Sequence, residues 1–212
     1  MAREFNKKQR NTHVRERKPI MAIIAEGHNS TERNYFSSFN SQKSKYIVHM
    51  VSGGGKTDPE NLKNEIEKFW DKSSLSADEG DLAFIVLDLD CDNKKAEVIR
   101  QQPNTNSEFV VSNPCFEVWF LEHFNYSAHA FNSSDEVIVK LKKLVPDYSK
   151  SKNMYKELKG KTDIAIDNCI KLEKQQNELW PSNRCNPRTD VWKVVKLLTN
   201  NGYSDNSDNS DF

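Results

Sequence analysis

An apolar run of six residues, Ile20-Met21-Ala22-Ile23-Ile24-Ala25, is followed at once by a charged and polar stretch. A short continuous run of this kind predicts a strand buried on both faces. Leu82 to Leu87 repeats the pattern and is the best strand in the sequence, with Tyr46 to Val51 and Phe109 to Val111 as further candidates. Between these runs the apolar period changes to that of a helix. Tyr35, Phe36 and Phe39 follow Ser30 or Thr31 as cap, and Leu62, Ile66, Phe69 and Trp70 follow Thr57 or Asp58, with Pro59 in the first turn. Ala96 to Gln101 reads as a short helix, and Pro114 opens an apolar one through Phe116, Trp119, Phe120 and Phe124. Buried strands alternating with helices predict an α/β fold, with right-handed crossovers and a mostly parallel sheet covered on both faces. After about Asn125 the strand signal fades. Val137 to Val145, Asp163 to Leu179 and Arg188 to Leu198 predict amphipathic helices, an α-helical C-terminal half that packs on the sheet.

Composition narrows the class. Of the 212 residues, 31 are Lys or Arg and 31 are Asp or Glu, so the formal net charge is zero and a globally basic nucleic-acid coat is excluded. The average conceals an asymmetry: Met1 to Pro19 carries seven basic residues against two glutamates, whereas Gly202 to Phe212 carries three aspartates and no basic residue. Neither end can bury much apolar area, so both are expected to be mobile. Mean hydropathy is −0.81, yet 11 Phe, 4 Trp and 6 Tyr supply area for a core. No apolar run approaches the ~20 residues of a membrane span, and the basic N-terminus lacks the apolar stretch of a signal peptide. Cys91, Cys115, Cys169 and Cys185 form no CxxC pair. Free thiols in a reducing cytoplasm are the expectation.

The candidate chemistry lies in acids at strand ends. Glu26 follows the first buried run and precedes Gly27; Asp88 and Asp90 follow the strongest one, in Val86-Leu87-Asp88-Leu89-Asp90. In a parallel sheet the carboxyl ends of the strands line one edge, where ligands bind. A lone Asp after a strand is most simply a turn cap, but acids after two such strands would converge on one crevice. Residues i and i+2 of an extended segment point the same way, so Asp88 and Asp90 are placed to share a cation; a divalent metal relieves the repulsion, and Mg²⁺ takes oxygen ligands. Glu117, in an apolar helix, is either a partly exposed helix residue or one paired with a nearby base, or else an additional metal or water ligand. His123 reads as a core histidine sooner than a catalytic one.

Gly53-Gly54-Gly55-Lys56-Thr57 falls between a strand and a helix, as a P-loop does, but the first glycine of that motif would have to stand at Met50. What is left is a glycine turn whose free N–H groups, with Lys56, could hold a substrate phosphate or simply turn the chain. Arg184 and Arg188 lie near the start of the last expected helix, begun by Pro187 or Thr189. They either bridge surface carboxylates or approach a nucleic-acid backbone.

Ile23-Ile24-Ala25-Glu26-Gly27, Thr31-Glu32-Arg33-Asn34-Tyr35-Phe36, Val86-Leu87-Asp88-Leu89-Asp90 and Ser112-Asn113-Pro114-Cys115-Phe116-Glu117-Val118-Trp119-Phe120-Leu121, with His123-Phe124, together resemble the RloB family. Asn183-Arg184-Cys185-Asn186-Pro187-Arg188-Thr189-Asp190-Val191-Trp192 resembles a late motif of it, so the likeness runs from the leader to about Leu198. The resemblance implies a Toprim-like fold, divided here into a basic leader (1–19), the α/β core (20–125), a helical part (126–200) and an acidic tail (201–212). It also implies a metal-dependent nuclease of bacterial anti-phage defence or abortive infection, cutting RNA (tRNA among the candidates) or DNA. Control by an ABC/AAA-type, RloA-like ATPase partner is implied with it, and a homodimer is compatible with it. In Toprim enzymes a glutamate after the first strand serves acid–base chemistry and a later Asp-x-Asp binds Mg²⁺. By that resemblance Glu26, Asp88 and Asp90 would hold Mg²⁺ or Mn²⁺, with Glu26 as acid, base or ligand and Glu117 joining them. Lys56, Arg184 and Arg188 would bind substrate. The other reading is a non-catalytic Toprim-like regulatory or nucleic-acid-binding subunit of an ATPase complex.

Overall fold

The computed structural model describes residues 17–27, 30–103 and 105–199. Most of the basic leader and the acidic tail therefore lie outside the described residues. The end of the leader is docked: Arg17 reaches Asp81 through two hydrogen bonds of 3.1 and 2.8 Å. Lys18 donates to the Gln42 and Ser44 carbonyls.

The two apolar runs form β1 (Ile20–Ala25) and β3 (Leu82–Asp88), two of the three inner strands of a five-stranded sheet. With β2 (Ile47–Val51), β4 (Ser107–Asn113) and β5 (Arg188–Thr189) the order is β2-β1-β3-β4-β5, parallel except for β5. Strand side chains alternate between two apolar layers, as a pleated sheet requires. Met21, Ile23, Phe84 and Val86 enter one layer; Ala22, Ile24, Ile85 and Leu87 enter the other.

The second layer is closed by α2 (Pro59–Lys72), through Leu62, Ile66 and Trp70, and by α3 (Asn93–Gln101), through Ala96 and Ile99. The first is closed by α1 (Ser30–Ser37) and by the helical second half. That half comprises α4 (Glu117–Glu122), α5 (Ser134–Leu144), α6 (Tyr155–Leu158), α7 (Thr162–Gln175) and α8 (Val191–Thr199). Tyr35, Phe36, Phe116, Trp119 and Phe120 are all fully buried there, each worth roughly 1.5–3 kcal/mol of burial. Because α1 lies on one face and α2 and α3 on the other, the chain leaves β1 and β3 toward opposite faces. Their carboxyl ends consequently flank a crevice at the point where the winding reverses. Among the described residues no helix is long and apolar enough to cross a membrane.

Local details depart from the sequence expectations for identifiable reasons. Asp58 and Asp92 cap α2 and α3 through their carboxylates. Ser30 and Thr31 instead stand inside α1 and donate their hydroxyls to the Lys150 carbonyl, tying α1 to the second half. The helix expected from Pro114 starts at Glu117, and the one expected to reach Leu179 stops at Gln175. Arg188 and Thr189 are strand, not helix. They pair antiparallel with Asn113 and Ser112 of β4, where the Ser112 and Thr189 hydroxyls meet at 2.7 Å, and α8 begins only at Val191.

Candidate active site

Ala25 of β1 stands opposite Val86 of β3, so Glu26, one residue beyond that pair, and Asp88, two beyond it at the end of β3, open the crevice. The Glu26 amide continues the ladder to the Val86 carbonyl at 3.1 Å. Its side chain turns across to β3, where Oε2 accepts the Asp88 N–H at 3.3 Å and the Lys95 ammonium at 2.7 Å. Gly27, at φ 68°, then turns the chain away and donates its N–H to the Lys56 carbonyl at 2.7 Å. This bond stitches the glycine turn to the residue after Glu26.

The Asp88 carboxylate accepts the Phe116 N–H at 2.8 Å, which ties the end of β3 to the entry of α4. Its carboxyl is pushed well above the ordinary range by burial, then by the negative charges of Glu32, Glu117, Asp90 and Glu26. Glu117 is buried at the start of α4, with Tyr148 donating its hydroxyl at 2.7 Å. Burial, followed by Glu117, pushes the Tyr148 phenol up. Glu32, on α1, is 4% exposed and its Oε2 has no hydrogen-bond partner. Burial first, with Glu117 and Glu26 adding to it and Lys150 opposing, raises its carboxyl to about 8.

Asp90 lies at the rim. The strand ends at Asp88, and Asp90 and Cys91 adopt left-handed backbone at φ 53° and 60°. The i, i+2 argument therefore fails: Asp88 and Asp90 do not share an extended segment. The Asp90 carboxylate accepts the Ser134 hydroxyl at 2.9 Å and stands 4.0 Å from the Lys95 ammonium.

The expected substrate-binding residues separate. Lys56 is part-exposed and pairs with Glu65 at 3.3 Å, beside a cleft of about 280 Å³ lined by Gly27, Arg33 and Gly53 to Gly55. A second cleft of about 320 Å³, between the starts of α2 and α3, reaches Glu26 and Lys95. Arg184 is open to solvent and weakly paired with Glu178 at 3.4 Å. Arg188 is withdrawn from any phosphate backbone: its side chain is 7% exposed, pairs with Glu173 at 3.1 Å and stacks 4.5 Å over Trp180. His123 is a core residue, bonded to the Trp119 carbonyl at 2.9 Å, and burial lowers its pKa to about 4.

Glu32, Lys95 and Tyr148 belong to the site without having been assigned a role from the sequence. Glu32 lies within a stretch that carried the family resemblance; Lys95 and Tyr148 carried no signal. Among the described residues no group of three or more His, Cys, Asp or Glu is arranged to hold a metal ion as it stands. The donor chemistry nonetheless suits a hard divalent cation: the groups are carboxylates, and one buried Glu32 oxygen lacks a partner. The basic group drawn into the crevice is Lys95.

No curated protein and no solved structure matches the chain significantly. A family model described as RloB-like protein matches residues 21–198, which includes both acidic strand ends, Glu117 and the late Arg184 to Arg188 segment. This chain belongs to the RloB-like family.

Proposed function

We propose that the chain is a metal-dependent nuclease that hydrolyses phosphodiester bonds of RNA, tRNA among the candidates, or of DNA, in anti-phage defence under an ATPase partner. The observation that carries the reading is the Glu26 carboxylate reaching the end of β3, where it accepts the Asp88 backbone N–H at 3.3 Å, at the point where the sheet's winding reverses. There Glu26 and Asp88, with Asp90 at the rim, would hold Mg²⁺ or Mn²⁺, whose charge would offset that gathering on a phosphate under attack and lower the pKa of the attacking water. Glu26 lines the 320 Å³ cleft, which supports the reading that it would take up a proton from that water as general base. Asp88 is held in register by the Phe116 N–H, and Glu117 by Tyr148, so neither needs to reorganise. Lys56 and Arg184 supply exposed positive charge for the substrate backbone, an attraction that weakens with salt.

The test is cleavage of tRNA, single-stranded RNA and plasmid DNA by the purified protein, alone and with its ATPase, in Mg²⁺ and in Mn²⁺. Cleavage is expected to vanish with EDTA and with Glu26→Gln, while circular dichroism shows the variant folded. Cleavage that survives both treatments would discard the proposal. The hydrogen-bonded Lys95–Glu26 pair favours a second reading, a non-catalytic subunit of an ATPase complex. Absence of cleavage in every arm, with the ATPase present, would select it.

A further inference from the structure

Lys95 is placed by its own helix. Asp92 caps α3 by accepting the Lys94 and Lys95 amides at 2.8 and 3.4 Å, which fixes the first turn and directs the third side chain toward the end of β1. A lysine ordinarily keeps its ammonium in water. Here the side chain is 14% exposed and the ammonium stands 2.7 Å from Glu26 Oε2 and 4.0 Å from Asp90 Oδ2, against a Glu26 side chain that is 15% exposed. Among the described residues it is the basic group in ion-pair reach of either carboxylate. Its positive charge lies where the acids after β1 and β3 face each other.

We propose that Lys95 is a resident cation of this site: in the metal-free protein its ammonium neutralises Glu26 and Asp90, and Mg²⁺ or Mn²⁺ binds by displacing it. The inference rests on the metal-dependent reading above. A single positive charge, 2.7 Å from Glu26 and 4.0 Å from Asp90, holds those two acids together and makes no ion pair with Asp88. A divalent ion brings twice the charge and accepts several oxygens at once. Binding would free the ammonium into the 320 Å³ cleft that Lys95 already lines, on the side where a substrate phosphate would enter. The exchange makes the site stable without metal and sets a threshold for metal loading.

The full chain, Lys95→Met and Lys95→Arg are titrated with Mn²⁺, and free Mn²⁺ is followed by electron paramagnetic resonance. Lys95→Met removes the competitor and should bind Mn²⁺ on the order of ten-fold tighter, the scale of one lost charge-assisted hydrogen bond. Lys95→Arg, which retains the charge, should stay within about three-fold of the unaltered chain, roughly half a decade. A second readout needs no variant: lysine-directed acylation scored by peptide mass spectrometry should label Lys95 several-fold faster at saturating Mg²⁺, with Lys94 unchanged. Equal or weaker Mn²⁺ binding by Lys95→Met, or Lys95 labelling that does not rise with metal, overturns the proposal and leaves the metal reading standing. Failure of all three chains to bind Mn²⁺ overturns the metal reading and this inference together.

Discussion

Replacing Glu32 by Gln should change how stability depends on pH. An isolated glutamate titrates near 4.5, whereas burial and the neighbouring acids raise Glu32 to about 8 in the folded chain. Between these values the folded state holds a proton that the unfolded state has released. Stability from this group is therefore complete below pH 4.5 and is lost as pH rises toward and through 8. His123, lowered to about 4 by burial, acts in the opposite sense up to pH 6.5, because there the unfolded chain binds the extra proton. The clean window is pH 6.5 to 8 in metal-free buffer. At about 1.4 kcal/mol per pH unit for one proton, reduced as Glu32 begins to ionise, Glu32 accounts for roughly 1.5–2 kcal/mol of lost stability across that window. Gln fills the same volume without titrating. Glu122, also raised to about 8 by burial, and Asp88 lose stability in the same direction, so the comparison is between slopes. Urea unfolding at the two pH values should show the wild-type chain losing roughly 1.5–2 kcal/mol more than Glu32→Gln, or about 3–8 °C in Tm for a chain of this size. Identical pH slopes for the two proteins would refute the placement of Glu32 in a buried acidic cluster.

Tyr148→Phe removes the hydroxyl that donates to the buried Glu117 carboxylate and should cost about 2 kcal/mol in urea unfolding; a loss under 0.5 kcal/mol would show that water replaces it freely. Arg188→Ala should cost about 2–3 kcal/mol, below the range for a fully buried pair because the Glu173 side chain is 35% exposed, while Arg184→Ala should stay within about 0.5 kcal/mol. Electrophoretic binding assays with a labelled RNA should rank the same two residues in reverse, since Arg184 is the one open to a phosphate. Gly53→Ala would set a Cβ 3.1 Å from Leu62 Cδ2 and 3.3 Å from the Ala25 carbonyl; a destabilisation of about 1–3 kcal/mol by thermal melting is expected.

The sheet was legible because β1 and β3 are buried on both faces and so must be continuously apolar, a pattern with few alternatives at that length. The second helix was legible from a cap that acts locally, since Asp58 needs only its own turn; the third, read from Ala96, starts three residues earlier because Asp92 caps it at Asn93. What could not be read is what depends on distant chain. Ser30 and Thr31 look like caps, yet a carbonyl from residue 150 claims both hydroxyls. Arg188 and Thr189 sit in a segment with helical periodicity, but the open edge of β4 takes them as a strand, because unpaired strand groups cost more than a late helix start gains.

The same division runs through the site. Glu26 and Asp88 were readable from position alone, since a residue that follows a buried parallel strand must emerge at the carboxyl edge. Asp90 lies beyond the point where the strand ends, and with its own backbone left-handed it faces Ser134 and Lys95. Glu32 and Lys95 are ordinary members of polar helical turns until the fold sets α1 and α3 on opposite sides of the strand-end crevice. One then brings a buried carboxylate with an unpartnered oxygen, the other an ammonium drawn out of water. Neither is explained by the stability of its own helix. Burying a lysine is unfavourable unless it compensates other charge, so Lys95 answers the crowding of Glu26 and Asp90, whereas Glu32 adds to that crowding and has its carboxyl pushed up by burial and by the neighbouring acids. The strand ends alone would gather negative charge that the fold has to answer, and Lys95 answers it in the chain itself.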